Sequence, residues 1–210
     1  GCGSLRSDGT LYHLEQMPFV SASNNEARCL EIFGIQTMGL MQRLSILGTK
    51  AVIGVSGGLD SALALLVCVA AMKKLGRPAS DVIGVTMPCF GTTGRTYQNA
   101  LALMDALGVT ARQVDIRQAV LDHFANIGHD PAVQNTVYEN AQARERTQIL
   151  MDLAGKEGGI VVGTGDLSET ALGWCTYNAD QMSMYNVNGS VPKTLIPYLL
   201  KALADSADFA

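Results

Sequence analysis

The sequence is poor in charge and contains no concentrated block of one sign. Only 16% of its 210 residues are charged, the formal net charge is −4, and no run of lysine or arginine occurs. Because surfaces that follow a nucleic acid backbone are usually basic, nucleic acid is not expected as a partner. A hydrophobic content of 48% also excludes the composition of a disordered chain.

Zinc motifs and long hydrophobic runs are missing as well. The five cysteines form no C-x-x-C pair, and the three histidines fall in no zinc-ligand spacing. We interpret the scattered cysteines as reduced thiols of a cytosolic protein. The longest apolar stretch, residues 62–72, has 11 residues and is too short to span a bilayer. With no signal-peptide pattern at the start, we expect a cytoplasmic location and no membrane contact.

Short apolar runs rich in valine and isoleucine alternate with longer segments of helical periodicity. This alternation is typical of an α/β fold in which helices cover both faces of a parallel sheet. Residues 1–23 lack clear periodicity and are expected to be a linker, which leaves one domain over residues 24–210. The predicted strands cover residues 51–55, 82–87, 112–116 and 159–163, and the predicted helices cover residues 24–48, 60–74, 95–107, 117–126, 138–154 and 194–204.

The ends of three predicted strands carry small or polar residues. These ends are residues 55–58, 87–88 and 163–165. Ligands of parallel sheets bind at the carboxyl ends of the strands. We therefore expect the three segments to converge on one crevice.

The segment SGGLDS, residues 56–61, joins the first predicted strand to its helix. Gly57 and Gly58 allow a tight turn, and the positive end of the following helix would face an anion held there. No lysine follows these glycines, so the loop lacks the Walker pattern. Asp60 at the edge of the loop is suited to hold Mg²⁺ against phosphates. The alternative is an ordinary glycine turn in which Asp60 is the helix N-cap.

The SGGLDS string resembles the signature of the ATP pyrophosphatase family. The resemblance implies an adenine nucleotide alpha hydrolase-like (PP-loop) domain, in which the bond between the α and β phosphates of ATP is broken. It also implies ATP contacts along the loop and at two later positions. The residues concerned are Gly54, Val55, Ser56, Gly57, Gly58, Leu59, Asp60, Ser61, Thr164 and Lys193.

The second half of the chain resembles the NAD synthetase family, and in particular its bacterial glutamine-dependent branch. The resemblance lies in ENAQARERT (139–147), GTGDLSE (163–169) and TYNADQMSMYNVNGSVPKT (176–194). It implies that ATP drives the amidation of deamido-NAD to NAD through a nicotinoyl-adenylate, with Asp60 and Lys193 catalytic and Asp60 and Glu169 holding Mg²⁺. The residues it implies for deamido-NAD binding are Asn140, Arg144, Glu169, Trp174, Tyr177 and Asp180.

Several of these residues also have purely structural interpretations. Glu169 can be a helix N-terminal acid stabilised by the helix dipole. Arg144 and Arg146 lie two residues apart on one helix and point to different faces, so one can reach the crevice while the other is solvated. Trp174 can be a core residue, and Lys193 can be a flexible surface lysine.

The resemblance also implies partners. Ammonia would be the nitrogen donor, supplied by a nitrilase-like glutaminase domain that precedes this one in a longer chain, and the domain would be C-terminally short. The family further implies a homodimer. Another ATP pyrophosphatase, such as GMP synthetase, and a non-catalytic nucleotide-binding fragment are the alternative functions.

Overall fold

A computed structural model of the chain describes residues 25–90 and 94–206, in which strands and helices alternate. The predicted linker, residues 1–23, lies outside the described residues. The helices are α1 (Asn25–Leu47), α2 (Leu59–Lys74), α3 (Gly94–Ala106), α4 (Arg117–Ile127), α5 (Thr136–Glu157), α6 (Leu167–Leu172) and α7 (Ile196–Ala204). The strands are β1 (Lys50–Gly54), β2 (Val82–Thr86), β3 (Thr110–Gln113), β4 (Gly159–Gly163) and β5 (Tyr185–Asn186).

The strands form one parallel sheet in the order β3-β2-β1-β4-β5. The central strand β1 pairs with both β2 and β4, so that Val52 lies beside Ile83 on one side and Val161 on the other. The chain moves outward from β1 in one direction and then returns to its other side. Such a reversal opens a crevice at the carboxyl ends of the two strands where it occurs.

Helices cover both faces of this sheet, as the sequence predicted. Side chains alternate along each strand, so Ala51 and Ile53 point to one face and Val52 to the other. Ala51 and Ile53 belong to a core formed with α1, α2, α3 and α7, whereas Val52 belongs to a core formed with α4 and α5. The apolar stretch at residues 62–72 lies within α2, most of whose side chains are buried in the first core.

No helix in the described residues is both long and apolar enough to cross a membrane. Cys29, Cys68 and Cys175 are free thiols.

The third strand begins two residues earlier and ends three residues earlier than predicted. It was predicted over residues 112–116 and is found at Thr110–Gln113, where it forms the sheet edge and is mostly exposed. The apolar residue at the end of the predicted strand is not in a strand. Ile116 lies in the turn before α4 and packs into the core from there. Two short elements, α6 and β5, were not predicted, since six and two residues are too few for a periodic pattern.

Candidate active site

The three predicted strand ends converge on one crevice, which confirms that expectation. A cavity of about 500 Å³ is lined by residues 55–56 after β1, residues 86–87 at β2 and residues 163–164 at β4. Helix α5 supplies its other wall, which includes Arg146 and Leu150. The cavity therefore has an apolar floor between strand ends and polar groups at its rim.

The glycine turn beside this cavity is held tightly by its own residues. Gly57 has φ +82°, and a Cβ there would overlap the carbonyl oxygen of Thr96 in α3. The Ser61 hydroxyl accepts from the backbone N–H of Ser56 at 3.2 Å and donates to the carbonyl oxygen of Gly58 at 3.0 Å. These contacts fix the turn before any ligand binds.

Helix α2 begins at the end of this turn without a side-chain cap. Gly58 is the N-cap residue, and Asp60 lies inside the first turn, so the interpretation of Asp60 as N-cap is wrong. The first N–H groups of a helix need partners from outside the helix. An uncapped N-terminus with its positive dipole end is suited to an anion such as phosphate.

Lys193 gathers three carboxylates at the edge of the glycine turn. Its Nζ lies 3.3 Å from Oδ2 of Asp60, 3.2 Å from Oδ2 of Asp166 and 3.1 Å from Oε1 of Glu169. Lys193 is therefore not a flexible surface lysine, although about half of its side chain is exposed. The four groups come from α2, the start of α6 and the short 3-10 helix before α7. We call these four residues the Lys193 cluster.

The charges in this cluster stabilise one another. Burial lowers the pKa of the Lys193 ammonium, but its hydrogen bonds to Glu169 and Asp166 raise that pKa by more, so it lies above its usual range. Burial raises the pKa of Asp166, but hydrogen bonds from the Glu169 N–H and from Lys193 lower it by more. Both groups therefore stay charged at neutral pH.

Asp166 and Glu169 also form a capping box at the start of α6. Asp166 accepts from the N–H of Glu169 at 2.8 Å, and Glu169 Oε2 accepts from the N–H of Asp166 at 3.2 Å. Glu169 is therefore the helix N-terminal acid of its structural interpretation, and its other carboxylate oxygen accepts from Lys193. Asp166 was not predicted as a site residue from the sequence, although the string DLSE carries the capping-box pattern.

Asn188 was also missed, and no local signal points to it. Its side chain is fully buried, and Nδ2 donates to the carbonyl oxygens of Asp60 at 2.9 Å and Thr164 at 3.1 Å. It thereby joins the glycine turn to the end of β4.

A loop over residues 173–184 packs against α5 beside the cavity. Arg144 Nε donates to the carbonyl oxygen of Tyr177 at 3.3 Å, and the Thr176 hydroxyl donates to Asn140 Oδ1 at 2.9 Å. Asp180 Oδ1 accepts from the N–H of Thr176 at 2.7 Å. Four of the residues predicted to bind deamido-NAD are therefore neighbours.

The aromatic side chains of this loop face outward. Trp174 is 79% exposed and Tyr177 is 82% exposed, so the interpretation of Trp174 as a core residue is wrong. Planar exposed rings beside a cavity are available for stacking on a flat ligand.

The two arginines of α5 take different positions, as their spacing predicted. Arg146 lines the cavity, whereas Arg144 holds the Tyr177 carbonyl and is not part of the cavity wall. Of the predicted site residues, five line the cavity, and the others lie in the glycine turn with the start of α2, in the Lys193 cluster, on α5 and in the adjoining loop. The five are Gly54, Val55, Ser56, Thr164 and Asp180.

The residues predicted to hold Mg²⁺ are suited to it. Oδ1 of Asp60 is buried and has no hydrogen-bond partner. It belongs to the same cluster as Glu169 and Lys193. Among residues 25–90 and 94–206, no group of three or more histidine, cysteine or acidic side chains is arranged to hold a metal alone. Mg²⁺ commonly takes one or two carboxylates and completes its shell with water and substrate phosphates, which fits this pair.

A parallel sheet with a glycine turn at its point of reversal, and a crevice at the strand ends, defines an α/β nucleotide-binding domain of the PP-loop class. The profile of the NAD synthase family matches residues 38–205. The chain belongs to the NAD synthase family, which confirms the resemblance seen in its motifs.

Individual relatives agree with this assignment. The glutamine-dependent NAD⁺ synthetase of Mycobacterium leprae is 47% identical over 96% of this chain, and the NH₃-dependent NAD⁺ synthetase of Pelodictyon phaeoclathratiforme is 31% identical over 74% of it. The chain spans 31% of the length of the former and 53% of the latter.

Solved structures show the same fold. The glutamine-dependent NAD⁺ synthetase of Acinetobacter baumannii, determined with adenosine diphosphate, superposes with a TM-score of 0.78 at 28% identity, covering 98% of this chain and 38% of that one. The NH₃-dependent NAD synthetase of Campylobacter jejuni, determined with nitrate, gives 0.72 at 28% identity, covering 86% of this chain and 76% of that one. The predicted fold class is confirmed.

Proposed function

We propose that this domain makes NAD from deamido-NAD by ATP-dependent amidation, with AMP and pyrophosphate as the other products. The observation that carries the proposal is the Lys193 cluster, which places three carboxylates and an ammonium beside the glycine turn and the uncapped start of α2. Family membership supports the same reaction, because the relatives are named for NAD synthesis.

The nicotinate carboxylate is a poor electrophile, so the reaction needs two steps. In the first, a carboxylate oxygen attacks the α-phosphorus of ATP, the bond to the bridging oxygen breaks, and pyrophosphate leaves with that electron pair. In the second, ammonia attacks the carbonyl carbon of the nicotinoyl-adenylate, and the C–O bond breaks. AMP leaves with the former carboxylate oxygen, and the nitrogen loses a proton to become the amide.

The protein's part in the first step is to hold and neutralise the phosphates. The uncapped N-terminus of α2 follows the glycine turn at the edge of the crevice, where the pyrophosphate portion would lie. Lys193 would move from its carboxylates to the phosphate oxygens and offset the charge that builds there, so that no lysine is needed in the loop itself.

Asp60 and Glu169 are the residues that would hold Mg²⁺. The chemistry that Mg²⁺ would supply there is neutralisation of the negative charge that builds on the phosphates. The unpartnered Oδ1 of Asp60 and the Glu169 oxygen now held by Lys193 are the available ligand atoms. Thr164, just after β4, lines the cavity and would contact the same phosphates.

The two substrates would occupy adjoining parts of the site. The apolar part of the cavity suits the adenosine part of ATP, since the buried Val85 and Val161 and the half-buried Leu150 line it. Deamido-NAD would lie along the loop of residues 173–184, where Trp174 or Tyr177 can stack on the nicotinate ring and Asn140, Arg144 and Asp180 supply polar contacts.

Ammonia is the proposed nitrogen donor for this domain. A glutaminase domain elsewhere in a longer protein would produce it from glutamine, which is consistent with the share of the glutamine-dependent relatives that this chain spans. We also propose that two copies associate as a homodimer and that the enzyme works in the cytoplasm.

Formation of NAD from deamido-NAD, ATP, Mg²⁺ and ammonium by the purified chain tests this proposal. Asp60→Asn should lower kcat by about a hundredfold or more, because one charge that holds the metal and Lys193 is lost. Asp122→Asn, an exposed acid on α4, is the matched control and should leave kcat unchanged.

Two other outcomes would contradict the proposal. Amination of xanthosine monophosphate in preference to deamido-NAD would identify a different ATP pyrophosphatase. Binding of ATP without any release of AMP would identify a nucleotide-binding domain that lacks the reaction.

A further inference from the structure

The buried amide of Asn188 connects two edges of the crevice that the sheet itself does not connect. β1 and β4 pair as far as Ile53 and Val162, and beyond them the two chains leave the ladder. Asn188 Nδ2 then donates to the carbonyl oxygens of Asp60 and Thr164, which belong to these two departing segments. This one side chain therefore joins the backbones of the two edges.

Every polar atom of this amide has a partner, so its orientation is defined. Both Nδ2 protons are used, and Oδ1 accepts from Gln36 Nε2 at 3.1 Å. Gln36 Nε2 also donates to the carbonyl oxygen of Val187 at 2.9 Å, which ties the amide to α1. A flipped amide would place its oxygen against two carbonyl oxygens and leave the Gln36 donor facing an NH₂ group, so the flip is disfavoured.

Asn188 cannot itself contact a substrate, because its side chain is fully buried. What it holds is the backbone of Asp60, whose side chain bears the unpartnered oxygen and contacts Lys193, and the backbone of Thr164 in the cavity wall. A shift of either carbonyl would move a group proposed to bind ATP. Displacements of about 1 Å in such groups can reduce rates about a hundredfold.

We infer that Asn188 is a positioning residue for the Mg²⁺-ATP edge of the site, with Gln36 setting the orientation of its amide. The predicted effect of Asn188 on turnover rests on the proposed function, whereas its predicted effect on nucleotide binding does not. It predicts that loss of the amide weakens binding of the nucleotide and leaves binding of the second substrate intact, since the loop of residues 173–184 makes no hydrogen bond to Asn188.

The test measures binding of Mg²⁺ with α,β-methylene-ATP, which cannot be cleaved between the α and β phosphates, by isothermal titration calorimetry. Asn188→Ala should weaken this binding about tenfold or more, because two hydrogen bonds that fix the edge are lost. In turnover, KM for ATP should rise and kcat should fall, while KM for deamido-NAD stays within about twofold of wild type.

Two further variants keep the test decisive if Asn188→Ala unfolds. Gln36→Leu should also weaken nucleotide binding, but by a smaller factor. The Asn188 amide remains in this variant but loses the hydrogen bond from Gln36 that orients it. Thr37→Val is the matched control on α1, because its hydroxyl is buried without a partner and nearly the same shape is kept. It should leave both binding and turnover unchanged.

The outcomes separate this inference from the proposed function. Unchanged nucleotide affinity in folded Asn188→Ala, with only a lower melting temperature, would show a purely structural role and overturn the inference even if wild type makes NAD. Weaker nucleotide binding in the variant, with no NAD formed by wild type, would support the inference and contradict the proposed function.

Discussion

The ammonium of Lys193 lies 3.2 Å from Oδ2 of Asp166, a carboxylate whose side chain is completely buried. The opposite end of the same carboxylate caps α6 through the N–H of Glu169. One buried acid therefore fixes both a helix start and the position of the lysine. This link holds Lys193, which lies far along the chain from Asp60, beside that residue at the glycine turn.

The depressed pKa of Asp166 predicts loss of stability in acid. A carboxyl whose pKa is lower in the folded state stabilises the fold above its unfolded pKa, near 4, and this contribution is lost as the pH falls through the folded pKa. We expect the free energy of unfolding of wild type to fall between about pH 5 and pH 2.

Asp166→Asn isolates this effect, because asparagine is also a good N-cap and keeps the helix start. Its unfolding free energy should be lower than that of wild type at pH 7 and should decline less steeply toward acid pH. Urea unfolding followed from pH 7 to pH 3 measures both curves. Parallel curves would show that Asp166 is not the group responsible.

Lys193 holds the Glu169 oxygen that we propose for Mg²⁺ and contacts the other oxygen of Asp60, so lysine and metal should compete. Lys193→Met should therefore bind Mn²⁺ several-fold more tightly than wild type without nucleotide, because two carboxylates lose their counter-charge. The same variant should make AMP about a hundredfold more slowly, since charge neutralisation at the phosphates is lost.

Electron paramagnetic resonance of free Mn²⁺ gives the affinity, and an AMP assay gives the rate. Lys201→Met, on the exposed side of α7, is the control and should change neither value. Weaker Mn²⁺ binding in Lys193→Met would mean that the lysine supports the metal site instead of competing for it.

Gly57 should tolerate no side chain. Alanine there would carry the strain of positive φ and would also overlap the Thr96 carbonyl, so we expect a loss of about 3 kcal/mol in unfolding free energy. Gly108→Ala shares the positive φ, at +65°, but has open space around it, and should lose only about 1 kcal/mol. Thermal and urea unfolding distinguish the two, and equal losses would show that the contact with α3 does not constrain the turn.

The two arginines of α5 should serve different substrates. Arg146 lines the cavity, so Arg146→Ala should raise KM for ATP about tenfold with little change for deamido-NAD. Arg144 holds the Tyr177 carbonyl, so Arg144→Ala should raise KM for deamido-NAD instead. Steady-state kinetics with each substrate varied in turn checks the pair, and the reverse pattern would contradict the assignment of the cavity to adenosine.

The parts of the site that the sequence predicted are those carried by local patterns. The glycine turn, the end of β1 and the start of α2 lie within a few residues of one another, so SGGLDS and its flanks were enough to place them. Asn188 could not be found this way, because it meets Asp60 across 128 positions of sequence. Its contacts depend on where the segment after β5 lies relative to the start of α2 and the end of β4, which no periodicity encodes.

Two further differences have equally physical reasons. Periodicity indicated that Arg144 and Arg146 face different sides, but which side meets the cavity depends on the rotation of α5 against the sheet. The apolar residues after β3 indicated a strand, yet they fill the core from a turn, because an edge strand needs few buried side chains.

Isotope transfer tests the central claim most directly. The substrate is deamido-NAD that carries ¹⁸O in both oxygens of its nicotinate carboxylate. It is incubated with the chain, ATP, Mg²⁺ and ammonium, and mass spectrometry measures the ¹⁸O content of the products. Attack of that carboxylate on the α-phosphorus predicts AMP carrying one ¹⁸O for each NAD formed, together with unlabelled pyrophosphate. Unlabelled AMP, or ADP and phosphate in place of AMP and pyrophosphate, would contradict it.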